Sequence, residues 1–219
     1  MNFLAHHFFF ATDNAWYNTG LILPDWSRSA KGRRKLEWMA KHDLAYKEEA
    51  LWMGCQKHYE ADHWFHECAY FSETTHSIEK DLAHVQGQGL FNSQRKWFLA
   101  HLLAEMLLDR LIMDRHTTAL DQFYADLRKV PYDDLEGFLL QAGKEDMGRF
   151  PQAHKGFIES EFIRYYSSDK GLAESLSRVV QRTGQAALSA EEIQILSRLM
   201  PNWLDLADQT KKPLQMERL

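Results

Sequence analysis

Between prolines at 24, 131, 151, 201 and 213 the chain runs in long helix-favouring stretches. β-branched residues are scarce, and no window alternates apolar and polar positions between hairpin turns. The expected class is all-α: a single-domain helical bundle over 1–209 with a polar, loose tail over 210–219. The pattern predicts a first helix over 2–12 with Asn2 available as its cap. A second, over 15–23, is broken by Pro24-Asp25-Trp26, which leaves Asp25 at a helix end. A basic loop follows over 28–33, then a helix over 35–53, a junction near Gly54, and a helix over 58–73. Further helices are expected over 75–85, 93–117, 119–129, 132–142 and 146–166, with Gly87-Gln88-Gly89 as the clearest turn. Ser168-Asp169 can cap a helix over 170–184. Ser189 followed by Glu192 has the capping-box pattern, opening a last helix over 190–209 whose apolar face is Ile193, Leu196, Leu199, Met200 and Leu204.

Two of these helices carry polar stripes of an unusual kind. QKHYEADHWFHECAYF holds His58, Asp62 and His66 four residues apart. Each four-residue step advances about 40° round a helix, so the three share an arc of roughly 80°. WFLAHLLAEMLLDRLIMDRH repeats the device with His101, Glu105 and Asp109. A single stripe of this kind also suits a solvated face. The second helix, however, is apolar on most sides, with Phe98, Leu102, Leu103, Met106, Leu107, Leu108, Leu111 and Ile112. Buried polar groups on it need partners, and two such helices can enclose a metal ion.

At 219 residues the chain is long enough for one full core. Hydrophobic content is 45% and charged content 26%, ordinary for a globular protein. Two cysteines, Cys55 and Cys68, make no disulfide framework. The apolar start MNFLAHHFFFATDN lacks a basic leader region and a small-residue cleavage site, and no run reaches the roughly 20 apolar residues of a membrane span. A cytoplasmic protein with no membrane association is therefore expected. The net charge of −5 disfavours general nucleic-acid binding. Against that balance Arg28, Lys31, Arg33, Arg34, Lys35 and Lys41 fall close together with only Glu37 opposing them. Such a patch suits either an acidic partner or a solvated face.

In order along nearly the full length, the chain resembles the acyl carrier protein phosphodiesterases, or holo-ACP hydrolases. MNFLAH is similar to the family's opening, with Asn2, Phe3 and His6 in place. GLILPDWSR resembles its glycine–apolar–aspartate–aromatic–arginine segment, placing Gly20, Asp25 and Arg28. HYEAD matches its HxxxD helix through His58 and Asp62, and AEMLLDRLIMDRH its later acidic helix through Glu105 and Asp109. FIRYYSSDKGLAESLSRVVQRTG is similar to its late arginine–tyrosine segment, covering Arg164, Tyr165 and Arg182. The chain departs from the pattern at Leu21, His66, His101 and Arg110, and in the charged segment 31–46. The doublet His42-Asp43 matches the name-giving pair of HD phosphohydrolases in two residues only and reads as surface.

The resemblance implies an all-α variant of the HD phosphohydrolase fold. It also implies removal of 4′-phosphopantetheine from the holo-acyl carrier protein of fatty acid biosynthesis with a divalent metal, commonly manganese or magnesium. Phosphodiester cleavage needs charge neutralisation on the phosphoryl oxygens and an activated water. The metal ligands expected are His6, His58, Asp62, His66 and Asp109, with His101 and Glu105 as secondary candidates. His66 in place of an acid makes the set softer and shifts preference from magnesium towards manganese, iron or zinc. Asp25 is expected as base or further ligand, and Arg28 as a phosphate contact. Arg33, Arg34 and Lys35 are expected to face the acidic carrier protein. Two other readings stay open: an HD-type metal phosphohydrolase of another phosphodiester or nucleotide, and a non-catalytic helical binding protein on the same scaffold.

Overall fold

The structure is a computed structural model and describes residues 1–37, 46–87, 89–91 and 96–210. In chain order it forms α1 (Phe3–Phe10), α2 (Ala15–Gly20), α3 (Leu23–Trp26), a 3-10 turn (Ser27–Ser29) and β1 (Lys31–Gly32). Next come α4 (Tyr46–Glu67), α5 (Ala69–Gln86), α6 (Lys96–Arg115), α7 (Ala119–Lys129) and α8 (Tyr132–Gln141). They are followed by β2 (Lys144–Asp146), α9 (Phe150–Ser160), a second 3-10 segment (Phe162–Ser167), α10 (Asp169–Arg182) and α11 (Ala190–Thr210). The class is all-α. Among the described residues the only strands are β1 and β2, a two-stranded antiparallel pair. No helix among them is long and apolar enough to cross a membrane. The tail 211–219, the doublet His42-Asp43 and Lys41 lie outside the described residues.

The chain divides into two compact units. One comprises Phe3–His63 and Thr118–Glu161. Its centre is aromatic: Phe123 and Tyr124 of α7 are fully buried and meet Phe157 of α9 edge-on or tilted, and Phe3 of α1 also meets Phe157 edge-on. Asn14 caps α2, its side chain accepting from the backbone N–H of Trp16 and Tyr17. Pro24 does not break a helix here. It occupies the first turn of α3, where its missing N–H costs nothing. The expected helix over 35–53 is corrected at its start, since Arg33 to Glu37 is not helical. Its backbone bonds go elsewhere: Leu36 N–H donates to Tyr59 Oη (3.0 Å) and Glu37 N–H to the Ala142 carbonyl (3.1 Å). Those partners hold it beside β1, which pairs with β2 next to Gly143. The expected helix over 146–166 is likewise divided, because Gly148 and Glu161 both take positive φ and frame α9.

The other unit comprises Met1–Asn2, Trp64–Thr117 and Phe162–Leu219. Here α5 and α6 pack as neighbours, and α11 lies against both and against α10. Ile78 and Leu82 of α5, Leu103 and Leu107 of α6, Leu172 and Leu176 of α10, and Leu196 and Met200 of α11 are all fully buried. Trp203 is buried too, its Nε1–H donating to Asp81 Oδ2 at 2.8 Å. The capping box forms as the pattern predicts: Glu192 N–H donates to Ser189 Oγ, and Ser189 N–H to Glu192 Oε2. The expected helix over 58–73 ends at Glu67, because Cys68 is extended and opens α5.

Candidate metal centre

Gly54 lies inside α4 and is not a junction. A Cβ there would sit 2.2 Å from the Tyr17 carbonyl oxygen, and one on Gly20 would sit 2.3 Å from that of Leu51. The two glycines let α2 and α4 cross with backbones touching. One turn beyond Gly54 on α4 is His58, and one residue beyond Gly20 is Leu21. The crossing therefore brings the Leu21 carbonyl to the imidazole, and His58 Nδ1–H donates to it at 2.8 Å. A carbonyl can only accept, so Nδ1 carries a proton, and Nε2 is the nitrogen that a metal ion would take. That nitrogen faces two carboxylates, Asp62 Oδ2 at 3.6 Å and Asp25 Oδ1 at 3.9 Å.

His6 completes the group from α1. Its ring stacks on His58 with centroids 4.2 Å apart, and its Nε2 lies 3.1 Å from Asp62 Oδ1. Its Nδ1 is buried with no hydrogen-bond partner among the described residues. Burial first, and then the neighbouring His58, push His6 down to about 3 against the pull of Asp62. Burial alone would raise Asp62, but the hydrogen bond from His6 and the two nearby rings outweigh it and hold the carboxyl well below its usual range. Neutral imidazoles and an ionised carboxylate are the forms that bind metal. His6, His58 and Asp62 each offer a ligand atom, all within 4.8 Å of one another. The donor set fits a divalent ion, and the Leu21 carbonyl supplies the outer hydrogen bond that orients a metal-binding histidine.

Asp25, Arg28, Arg34, Lys35 and Tyr59 share with His58 and Asp62 a cleft of about 290 Å³. Asp25 is ion-paired to Arg28. Lys35 Nζ sits 5.0 Å above the Tyr59 ring, while Arg33 pairs with Glu37. Burial, its largest cause, raises Tyr59 to about 12, so it stays a neutral phenol.

Three of the four remaining expected ligands assemble in the other unit. His66, His101 and Glu105 form a second group with ligand atoms within 4.8 Å. Glu105 Oε1 lies 3.1 Å from His101 Nε2, 3.6 Å from His66 Nε2 and 3.0 Å from the Met1 amine. Burial opposes ionisation of Glu105, but that amine and the two histidines hold its carboxyl well below the ordinary value. Asp109 is fully buried on α6 and belongs to neither group. The stripe on α4 is thus divided: His58 and Asp62 contribute to one group and His66 to the other. The pattern of side chains did not point to Leu21, which acts through its backbone, or to Tyr59. The glycine pair carried a signal, since a glycine inside a helical stretch asks for a close approach. Comparison with known proteins found no matching family model, curated protein or solved structure.

Proposed function

We propose that this protein is a metal-dependent phosphodiester hydrolase acting on holo-acyl carrier protein, with release of 4′-phosphopantetheine. The observation that carries the reading is the convergence of His6, His58 and Asp62, the last two lining a cleft together with Asp25, Arg28, Arg34 and Lys35. The first three would hold the ion. Its chemistry, when bound, is neutralisation of phosphoryl oxygens and acidification of a nucleophilic water. Two imidazoles and a carboxylate suit manganese, iron or zinc better than magnesium.

The other residues have separate tasks. Asp25, whose Oδ1 is 3.9 Å from His58 Nε2, accepts the proton of the attacking water or adds a ligand oxygen. Arg28, 62% exposed on its side chain, exchanges Asp25 for a phosphate oxygen. Arg34 and Lys35 give the cleft a positive edge that attracts an anionic head. A volume of about 290 Å³ admits the phosphodiester and the start of the pantetheine arm, while the carrier protein stays outside.

Mass spectrometry of holo-acyl carrier protein after incubation with the protein and manganese tests the reading. The expected result is loss of the mass of 4′-phosphopantetheine. Retention of the group with manganese, magnesium and iron alike would overturn it. One observation favours a second reading, an HD-type hydrolase of another phosphodiester or nucleotide: every polar group in the cleft is of a kind that any phosphodiester would meet. Turnover of a chromogenic phosphodiester with an intact holo-carrier would select it.

A further inference from the structure

The His66, His101 and Glu105 group has no task in that reaction. His101 and Glu105 are one turn apart on α6, and His101 Nε2 lies at 3.1 Å, within hydrogen-bond reach of Glu105 Oε1. His66 Nε2 points at the same oxygen from 3.6 Å, too far for a hydrogen bond. Phe71 fixes both rings by edge contacts, its centroid 4.8 Å from His66 and 5.0 Å from His101. Two ring nitrogens are therefore held towards one carboxylate oxygen, which also accepts from the Met1 amine at 3.0 Å, and of the two rings only His101 hydrogen-bonds to it. Ligands in tetrahedral array round an ion with bonds of about 2.0–2.1 Å stand roughly 3.3–3.4 Å from one another. The separations of 3.1 and 3.6 Å bracket that value.

We infer that His66 Nε2, His101 Nε2 and a Glu105 carboxylate oxygen form a second metal site, independent of His6, His58 and Asp62, for a divalent ion of the imidazole-preferring class. Two imidazoles with one carboxylate match zinc, cobalt or nickel and disfavour magnesium and calcium, which take oxygen ligands. The side chains of His66 and His101 are 36% and 34% exposed, so an ion reaches the site from solvent. Three protein ligands leave a further position for water or an exogenous donor. The ion would fasten His66 of α4 to His101 and Glu105 of α6, within the unit that contains Trp64–Thr117.

The test is zinc stoichiometry on the full chain after chelation and dialysis. Wild type is expected to bind two zinc ions. His66→Ala/His101→Ala should bind one and His58→Ala/Asp62→Asn one, each pair sparing the other site. Removing a direct ligand should weaken the affected site by more than the roughly 10–100-fold that loss of an outer-shell partner costs. Two ions bound with undiminished affinity by His66→Ala/His101→Ala would overturn the site, as would a wild type whose only ion is lost with His58. Wild-type crystals soaked in zinc answer the same question without a variant. An anomalous peak among His66, His101 and Glu105 is expected, and its absence would overturn the site even where His6, His58 and Asp62 are filled.

Discussion

Asp25 is the residue on which the proposed chemistry turns, and one substitution separates its two tasks. Asp25→Asn keeps the volume and removes the charge. Loss of a general base costs on the order of 10²–10⁴-fold in rate. If Asp25 takes the proton, turnover on holo-carrier falls by that factor while manganese affinity holds. If it is a ligand, affinity falls as well. Undiminished turnover would remove Asp25 from the site. A second residue-scale prediction concerns His154, whose ring stacks on Trp26 at 4.8 Å and whose Nε2 is buried without a hydrogen-bond partner among the described residues. Burial lowers its pKa below 6.5. The unfolded chain thus takes up the proton first as pH falls, so this contribution to stability is complete above about 6.5 and is lost progressively below it. Urea midpoints at pH 7.5 and 5.5 should show a smaller drop for His154→Phe than for wild type. Equal drops would mean that His154 titrates alike in both states.

At the scale of elements, the α2–α4 crossing makes opposite predictions for glycines that look alike in the sequence. Gly137 in α8 and Gly156 in α9 have nothing within 4 Å of a built Cβ. Alanine at either should stabilise by roughly 0.5–1 kcal/mol through backbone entropy. Gly54→Ala gains the same entropy but drives a methyl to 2.2 Å from the Tyr17 carbonyl oxygen. Overpacking costs about 1–3 kcal/mol, so the net effect should be destabilising, with weaker metal binding as Leu21 moves off His58. Thermal midpoints of the three variants, with manganese titrations, check this; a Gly54→Ala midpoint at or above wild type would sink it. The same elements show what local sequence could carry. The helix Ala119–Lys129 was legible because Pro131 follows it, and the start of α11 because Ser189 and Glu192 cap reciprocally. The end of α4 was not, since no glycine or proline marks Cys68. The β1–β2 pair is too short to show a period of two. The stripe on α4 identified ligand-type residues but not their grouping. His58 and His66 are eight residues apart, a rise of about 12 Å, which is more than the ligands of one ion span.

For the molecule as a whole, the decisive quantity is charge that is left over after local pairing. The chain carries −5, yet its cleft has a basic edge. The sequence shows six close basic residues, and the structure subdivides the five that lie among the described residues. Arg28 pairs with Asp25, Lys31 with Asp146 and Arg33 with Glu37. Among the described residues Arg34 and Lys35 form no ion pair, and both line the cleft. An acidic carrier protein would therefore be steered by Arg34 and Lys35 more than by Arg33. Steering acts through long-range fields, which salt screens over about 10 Å at 0.1 M. Arg34→Glu/Lys35→Glu should slow association with holo-carrier most at low ionic strength and approach wild type as salt rises. Arg33→Glu, which also releases Glu37, should have the smaller effect. Stopped-flow association rates over a salt series measure this directly. Rates at low salt that match wild type would remove carrier docking from the edge of the cleft and leave Arg34 and Lys35 to the phosphate alone.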